Sequence, residues 1–404
     1  MLRRPFLRRL AGAAALGTLA PSDLLGALRP RHPWVARLDD PAYGGRGDGT
    51  TLNDEPILQA LADMPPEGGI VVLPPAGDWL FDAVDLARVG RRNATLVAAG
   101  ARVVKSPRTP THLFRDEHGS SHGLTVVGGT FELSAASFRG GATVSAFFLV
   151  RADDLSFLDV TVRDGIEEGL KLYTPVRARV RGGRFERLVN NGVQIHAPDV
   201  DGFKGDAPER DTEDVVIESA QFARVDDGLH GMEGQGMSVS GASPRTTARR
   251  VRVTACTFTA CVRGAWAEFN QPERPGEDIR FDANRVIGCE AHGLGLIGVR
   301  GGGMRGNVVL DTGGLVPGGP GVAASEVAGI VLSGSPRTPG EDLVVEDNEI
   351  VEGRAGGDAR MQYGIVVRRQ ERATVRRNAV RGATVRGVDV DGRTVRGSTI
   401  ETAG

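Results

Sequence analysis

A chain of 404 residues, of which 40% are hydrophobic, is long enough to bury a large core. Its 49 Lys and Arg against 51 Asp and Glu give a formal net charge of −2, which excludes a bulk field that attracts nucleic acid or a membrane surface. The 57 glycines are typical of a chain with many turns, and an aromatic content of 5% argues against a long aromatic track for sugars.

The first 27 residues have the pattern of an export signal. Four arginines within residues 3–9 form a basic start, and the apolar stretch 10–20 is too short to span a membrane. The run RRPFLR over 3–8 resembles a twin-arginine signal. We therefore predict that residues 1–27 direct export, periplasmic or extracellular, and that residues 28–404 form the folded domain without a membrane span.

Residues 40–75 predict an N-terminal cap. A Gly-Asp-Gly turn precedes a short helix with Asn53 or Asp54 as its N-cap and Pro56 in its first turn. The apolar face of this helix is made by Ile57, Leu58, Leu61 and Met64. The segment resembles the N-terminal part of secreted β-helix carbohydrate enzymes and phage tailspikes. We expect it to cover the first strands of the domain.

From residue 155 onward the chain repeats one unit, in which an alternating apolar run, a polar turn, a glycine and a second alternating run follow one another. The glycine is placed at Gly169, Gly192, Gly228, Gly264, Gly293, Gly329, Gly364 and Gly387. The shortest spacing, 23 residues, occurs at both ends of this series, and longer spacings hold loops. A unit this short cannot bury its own apolar face, so successive units must stack.

An asparagine column supports this register. Asn284, Asn307, Asn348 and Asn378 each lie two residues before Val or Ile, and stacked side-chain amides can hydrogen-bond along such a column. Together with the glycine-headed runs, this column resembles the pectin-lyase-like superfamily over residues 120–400. The resemblance implies an all-β fold, a single-stranded right-handed parallel β-helix with a short N-terminal capping helix.

Loops leave the repeat mainly after the glycine-headed run, and loops on one side of a solenoid build a binding wall. They cover residues 197–214, 232–250, 270–278, 311–327, 333–341 and 353–361. Asp199, Asp201 and Asp206 lie in the first loop, where their spacing favours a solvated loop over a Ca²⁺ site. We predict no resident metal and no required cofactor, with Ca²⁺ as the alternative.

The three cysteines, Cys256, Cys261 and Cys289, fit no zinc-binding pattern. In the repeat register, Cys261 and Cys289 occupy the same inward position of adjacent units. This placement favours a buried thiol stack, with a disulfide between the units as the alternative.

Chemically versatile side chains gather around the glycines of five successive units, and strand alternation points several of them outward. The predicted catalytic residues lie one or two positions before the glycine or on the run after it. They are Asp226, Asp227, His230, His292 and Glu168. The predicted substrate-binding residues are Lys171, Asn191, Gln194, His196, Arg263, Trp266, Glu268 and Tyr173. Trp266 either stacks on a sugar or is covered by residues 270–278.

Part of this pattern resembles the polygalacturonase-type glycoside hydrolases of family 28. The run VDDGLHGM resembles their Asp-Asp element, and AHGLGLIG resembles their Gly-His-Gly element, which maps a functional histidine onto His292. Their Asn-x-Asp element appears here as Asn190-Asn191-Gly192, without the acid. The resemblance implies the fold, the location of the site and glycoside hydrolysis.

Adjacent carboxyls raise the pKa of one of them, so Asp226 is the expected proton donor if Arg263 keeps Asp227 charged. Asp227 and Glu168 lie two units, about 10 Å, apart, marginally beyond the separation of roughly 6.5–9.5 Å in inverting glycosidases. The structural alternative is a ladder of salt bridges that joins these acids to Lys171 and Arg263.

Three functions follow from these patterns, each with a polysaccharide or oligosaccharide as its partner. The first is glycoside hydrolysis by acid and base carboxylates. The second is β-elimination or C5 epimerisation of a uronate polymer, with Lys171 or His230 as base and Arg263 or Ca²⁺ beside the carboxylate. The third is a non-catalytic glycan-binding β-helix at a surface, for which a monomer and a trimer both stay open.

Overall fold

The computed structural model describes residues 34–401 except residues 76, 139–142, 198–209, 227–233, 242–243, 272, 314–326, 336–337 and 355–358. The predicted export signal over residues 1–27 lies outside this range and stays a prediction. Within the described residues, no helix is long and apolar enough to cross a membrane.

The described chain winds through three sheets whose strands all pair in parallel, and we call them sheets 1, 2 and 3. Sheet 1 contains β1 Val35–Arg37, β3 Gly69–Val72, β6 Ala94–Val97, β9 Thr125–Val127, β12 Ser156–Leu158, β15 Arg179–Arg181, β18 Thr212–Glu218, β21 Ala248–Thr254, β24 Gly276–Asp282, β27 Val299–Arg305, β30 Gly340–Glu341, β31 Val344–Glu346, β34 Gln370–Glu371, β35 Thr374–Arg376 and β38 Thr399–Ile400.

Sheet 2 contains β2 Asp48–Leu52, β4 Asp78–Phe81, β7 Arg102–Lys105, β10 Thr130–Glu132, β13 Thr161–Gly165, β16 Arg184–Val189, β19 Gln221–Asp226, β22 Thr257–Thr259, β25 Arg285–Ile287, β28 Val308–Leu310, β32 Glu349–Val351 and β36 Ala379–Arg381. Sheet 3 contains β5 Val84–Asp85, β8 Phe114–Asp116, β11 Phe147–Val150, β14 Leu170–Tyr173, β17 Asn191–Ala197, β20 Gln235–Gly241, β23 Arg263–Phe269, β26 His292–Ile297, β29 Ala328–Ser333, β33 Tyr363–Arg368 and β37 Arg386–Val390.

Each coil passes once through the three sheets, so residues far apart in sequence become neighbours on adjacent strands. Val180 of sheet 1, for example, pairs with Phe157 of the preceding coil and with Ile217 of the next. Parallel crossovers are right-handed in nearly all proteins because of the strand twist. The predicted right-handed parallel β-helix is thus confirmed.

The N-terminal cap contains the predicted helix, α1 Asp54–Asp63, which buries Ile57, Leu58 and Leu61. Asn53 holds the N-cap position, but its side chain makes no capping hydrogen bond. Instead, its Nδ2 donates to the carbonyl oxygens of Thr51 and Leu80. These bonds connect the start of the helix to the first two strands of sheet 2. Two short 3₁₀ helices, Leu86–Arg88 and Ala135–Ser137, complete the helical elements of the described chain.

The core between the sheets is built from rows of stacked side chains. The rings of Phe185 and Phe222 stack with centroids 5.2 Å apart, and those of Phe222 and Phe258 with centroids 4.8 Å apart. All three cysteines are buried and none forms a disulfide. The hydrogen bond to Cys261, together with burial, raises the pKa of the Cys289 thiol, which agrees with the thiol stack rather than a disulfide.

The asparagine column is a continuous buried ladder. The Nδ2 of Asn284 donates to Asn307 Oδ1 over 3.1 Å, and Asn307 and Asn348 each donate to the next asparagine over 2.8 Å. Each Nδ2 also donates to a backbone carbonyl of the neighbouring coil, as Asn307 does to Phe281. The predicted amide column is therefore confirmed.

The coil corners hold charged residues in the left-handed backbone conformation. Asp214 and Arg250 have φ values of 57° and 55°, and Arg250 Nε donates to Asp214 Oδ1 over 2.6 Å. Asp342 and Arg372 form the same pair over 2.7 Å further along the chain. Exposed pairs of this kind contribute little stability, about 0–1 kcal/mol each. Their opposite charges nevertheless disfavour a shifted alignment of the corners.

One position of the predicted glycine register is wrong. Asn191 pairs with Gln235 and Val193 pairs with Met237, so Gly192 is followed in its column by Gly236 and not by Gly228. The connection between β19 and β20 contains residues 227–234. The glycine column therefore passes through a residue eight positions later in the chain than predicted. The other predicted glycines, from Gly264 onward, hold their expected places.

Candidate functional site

The outer face of sheet 3 between β11 and β26 carries the candidate site, and we call it the sheet 3 wall. Strand alternation buries Leu170, Val193, Met237, Ala265 and Leu294 in the core. The residues that alternate with them are Lys171, Gln194, Ser238, Trp266 and Gly295, followed two positions later by Tyr173, His196, Ser240, Glu268 and Ile297. At the edge of the wall, before the glycines, lie Glu168, Asn191, Gln235, Arg263 and His292.

The structure brings together most of the predicted site residues in two groups. Glu168, Lys171, Tyr173, Asn191, Gln194 and His196 lie on two adjacent coils, and Arg263, Trp266, Glu268 and His292 lie on two coils further along. Asp227 and His230 lie outside the described residues. Asp226 ends β19, and its Cα pairs with Val189 of the preceding coil.

The register correction changes which residues share a column with the predicted acids. Gln235, and not Asp227, follows Asn191 at the edge of the wall. Ser238, and not His230, follows Gln194. The predicted placement of Asp227 and His230 beside the glycine column is therefore wrong, whereas the catalytic role of Asp226, Asp227 and His230 stays a prediction.

A network around two glutamates forms the centre of the first group. The ammonium nitrogen of Lys171 lies 3.2 Å from Glu168 Oε2 and 3.8 Å from Glu167 Oε2. Asn190 Nδ2 donates to Glu168 Oε1 over 2.9 Å, and Ser145 Oγ donates to Glu168 Oε2 over 3.3 Å. Glu168 is only 1% exposed, so these three contacts hold its charge in place of water.

Glu167 is the carboxyl of this network whose pKa is raised. Burial raises its pKa to about 7, and the neighbouring Glu168 adds to this rise, while Lys171 and Asn190 oppose it. Burial alone would lower the pKa of Lys171, but Glu168 and the other groups nearby outweigh it and raise that pKa. Near neutral pH, Glu167 can therefore exist as a protonated acid beside the carboxyl of Glu168, which pairs with Lys171.

Four aromatic side chains line up across successive coils of the wall. Ring centroids are 4.5 Å apart for His112 and Phe148, 5.2 Å for Phe148 and Tyr173, and 5.0 Å for Tyr173 and His196. Burial and the charge of Lys171 lower the pKa of His112 to about 3 and that of His196 to about 4. Both imidazoles are neutral near pH 7, and His196 Nδ1 lies 2.6 Å from Ser240 Oγ.

The second group packs more tightly. The guanidinium carbon of Arg263 lies 4.3 Å from the centre of the Trp266 ring, and that ring stacks on His292 with centroids 5.3 Å apart. Trp266 is 5% exposed, so its ring is covered as it lies in this structure. Its Nε1 donates to Glu268 Oε2 over 3.1 Å. Burial and Arg263 lower the pKa of His292 to about 3.

Gly295 makes room for this indole, and its replacement tests the packing. A Cβ at Gly295 would lie 2.1 Å from Trp266 Cζ3, so Gly295→Ala is expected to displace the ring and to destabilise the fold by about 1–3 kcal/mol. Thermal unfolding and tryptophan fluorescence measure both effects. Gly392→Ala is the matched control, because no atom lies within 4 Å of its added Cβ. Equal melting temperatures for the two variants would contradict the tight fit.

Four side-chain amide oxygens near the edge of the wall are buried without a hydrogen-bond partner. They belong to Asn190, Asn191, Gln194 and Gln235. Such a group costs about 1–3 kcal/mol, and proteins rarely leave several of them together. An arrangement of this kind is typical of a site that a ligand completes.

Sequence reasoning missed four residues of the site as functional candidates. Glu167 and Asn190 were not predicted to be functional, although each lies one residue before a predicted site residue. Ser145 was missed because Ala146, and not glycine, follows it in the column. Gln235 was missed because the sequence pattern favoured Gly228 over Gly236 as the next glycine of the column.

The described residues hold no group of three His, Cys, Asp or Glu side chains that could bind a metal ion. The ammonium of Lys171 occupies the position between Glu167 and Glu168 where a cation would bind them. The predicted alternative Ca²⁺ ligands Asp199, Asp201 and Asp206 lie outside the described residues.

Comparison with known proteins gives structural likeness only. No family model and no curated protein matches the sequence. A mutant tailspike protein of E. coli bacteriophage HK620, solved with a pentasaccharide, superposes with a TM-score of 0.60 at 14% identity, over 94% of this chain and 68% of the other. The A-module of Azotobacter vinelandii mannuronan C-5 epimerase AlgE6 gives 0.56 at 15% identity, over 91% and 100%.

A family 28 exopolygalacturonase from Yersinia enterocolitica gives a TM-score of 0.50 at 10% identity, over 92% of this chain and 79% of the other. The chain is a parallel β-helix protein. Structural likeness at 10–15% sequence identity establishes the fold alone. The chemistry of this parallel β-helix protein depends on the side chains of the sheet 3 wall.

Proposed function

We propose that this parallel β-helix protein is exported, binds a polysaccharide along the sheet 3 wall and hydrolyses its glycosidic bonds, with Glu167 as the proton donor. The observation that carries the proposal is a carboxyl with a pKa of about 7 that lies among buried amides with unpaired oxygens. A glycosidic oxygen needs a proton as its bond breaks, and a carboxyl held protonated near neutral pH can supply it.

Glu168 does not serve as the second carboxylate of the reaction. Glu167 and Glu168 are in direct hydrogen-bonding contact, whereas retaining glycosidases separate their two carboxyls by about 5–5.5 Å and inverting enzymes by about 6.5–9.5 Å. Its bonds to Lys171, Asn190 and Ser145 instead suit a group that keeps Glu167 protonated by its charge.

Asp226 and Asp227 are the candidates for the second carboxylate. Leu188 pairs with both Gly165 and Val225, so the Asp226 position lies two strand spacings, about 10 Å, from the residue that precedes Glu167. The spacing of these backbone positions suits an inverting hydrolase, which keeps its two carboxyls about 6.5–9.5 Å apart so that the second can activate a water molecule.

Asp226→Asn and Asp227→Asn test this assignment. One of the two variants is expected to lose turnover by at least about 100-fold while its melting temperature stays within a few degrees of wild type, since a general base contributes about 10²–10⁴-fold. Turnover and thermal unfolding are measured on the same samples. A variant that loses folding together with turnover would indicate a structural salt-bridge ladder.

A second reaction is favoured by a separate observation. The phenol of Tyr173 and the neutral imidazole of His196 lie side by side. The Lys171 nitrogen lies 5.9 Å from the centre of the Tyr173 ring. A base, an acid and a cation together could exchange the C5 proton of a uronate, which leads to elimination or epimerisation. Among the structural neighbours, the epimerase is named for a reaction of this class.

Product analysis after incubation with a panel of polysaccharides distinguishes these reactions. New reducing ends without absorbance from an unsaturated uronide indicate hydrolysis, and that absorbance indicates elimination. An unshortened polymer with inverted C5 centres, measured by NMR, indicates epimerisation. Binding without any product would overturn the proposed hydrolysis in favour of a glycan-binding protein.

A further inference from the structure

We propose that the sugar chain bound along the sheet 3 wall is electrically neutral and rich in hydroxyl groups, because the wall offers unpaired amide oxygens while its cations already have partners. This inference rests on the proposed polysaccharide substrate and specifies its chemical class. A neutral substrate would also remove elimination and epimerisation, since both require a uronate carboxylate.

The unpaired oxygens define the first requirement of the ligand, which is hydrogen-bond donors. Asn191 and Gln235 occupy paired positions on adjacent strands and are only 3% and 8% exposed. Gln194 lies three residues after Asn191 on the same coil, and Asn190, whose side-chain oxygen is also unpaired, directly precedes Asn191. Sugar hydroxyls both donate and accept hydrogen bonds, so a row of them can satisfy these oxygens. A carboxylate can only accept, so hydroxyls, and not carboxylates, would have to meet these oxygens.

The charges define the second requirement. The Lys171 ammonium is within 4 Å of both Glu168 and Glu167. The Arg263 guanidinium lies over the Trp266 ring, and the residue as a whole is 7% exposed. His196 and His292 on the wall and His112 beside it are neutral near pH 7 because burial lowers their pKa values to about 3–4. A polyuronate would bring one carboxylate per sugar toward Glu168, where an unpaired charge is strongly disfavoured.

The half-buried rings define the third requirement. Tyr173 and His196 lie on the two coils that also carry Lys171 and Gln194, and both rings are partly exposed. The C–H face of a neutral sugar ring packs favourably on such surfaces. A pyranose that contacts these rings can direct its hydroxyls toward Gln194 and the edge of the wall.

The inference is tested with the full-length Glu167→Gln variant, so that bound ligands are not consumed. Calorimetric titrations use hexasaccharides of neutral sugars, namely gluco-, manno-, xylo- and galacto-oligosaccharides, and of two uronates, galacturonate and mannuronate. At least one neutral ligand is expected to bind, and both uronates are expected to bind at least about tenfold more weakly. The affinity for the neutral ligand should change less than about twofold between roughly 0.05 and 0.5 M NaCl, since no ion pair forms with it.

Gln194→Met in the same background removes the amide and keeps the length of the side chain. The Kd for the neutral ligand is expected to rise about tenfold, while the melting temperature stays level or rises because an unpaired buried oxygen is lost. The matched control is Gln221→Met on sheet 2, where the side chain is exposed. Tighter binding of a uronate, an unchanged Kd in Gln194→Met, or no neutral binding would each overturn the inference.

Failure of this inference is distinguishable from failure of the proposed hydrolysis. Reducing ends released from a polyuronate by the wild-type protein would leave hydrolysis standing while the neutral class fails. Binding of a neutral ligand without any cleavage by the wild type would leave the neutral class standing while hydrolysis fails.

Discussion

Replacing Glu167 by Gln is expected to lower the rate of glycosidic-bond cleavage by about 10²–10⁴-fold, the usual contribution of a general acid. The amide retains the shape and the hydrogen bond to Asn190 but cannot give a proton to the leaving oxygen. Reducing-end assays on a polymer that the wild type cleaves provide the measurement. A variant with more than about a tenth of wild-type turnover would exclude Glu167 as the proton donor.

The same substitution is expected to stabilise the protein at neutral pH. Because the folded-state pKa of Glu167 lies at about 7, above its ordinary value of 4.5, the folded state binds the extra proton. The destabilisation that results is absent below pH 4.5 and grows as the pH rises toward 7, to about 3 kcal/mol in order of magnitude. Glu167→Gln removes this term, so its advantage over wild type should appear at pH 7.5 and vanish near pH 4.

Turnover of the wild type should also depend on the protonation of Glu167, and it should decrease as the pH rises. The protonated form of Glu167 predominates below a pH of about 7 and is lost above it, so the alkaline limb of kcat/KM should fall in this region. Glu168→Gln is a contrasting variant: it removes the nearer carboxylate partner of the partly buried Lys171 ammonium and should destabilise the fold. Glu218→Gln on sheet 1 is the control outside the site.

Replacing Asn307 by Ala is expected to lower the free energy of unfolding by about 2–5 kcal/mol, because several buried groups lose their partners at once, each worth about 1–3 kcal/mol. Asn307 accepts from the backbone N–H of Asn284 over 2.9 Å and donates to Phe281 and Asn348 over 2.8 Å each. The midpoint of urea unfolding reports the change.

Asn270→Ala provides the control for this ladder, since Asn270 is exposed and donates to the Glu268 side chain over 3.0 Å. Its unfolding midpoint should remain close to that of the wild type. If Asn307→Ala lowers the midpoint no more than this control, the amide ladder is not a stabilising element of the solenoid.

Much of the candidate site was predictable because it sits where the chain is regular. Glu168, Lys171, Tyr173, Asn191, Gln194 and His196 lie on two coils only 23 residues apart, so counting along the repeat places them side by side. The next coil was misaligned because Asn191 and Gln235 are separated by a longer connection, and two Gly-containing runs competed for the same column. Hydrophobic alternation looks alike in both runs, and only the pairing of backbone strands decides between them.

The sequence by itself determined the parallel β-helix, the buried asparagine and cysteine columns and the helical cap, because each depends on a local pattern that recurs coil after coil. The tertiary structure alone decided that the pKa of Glu167 is raised, since that pKa depends on burial and on Glu168 and Lys171 around it. It also decided that Gln235 and Ser238, and not Asp227 and His230, continue the columns of the wall. Electrostatic interactions and hydrogen bonds depend on distances in space. Across a loop of variable length, those distances cannot be derived from positions in the sequence.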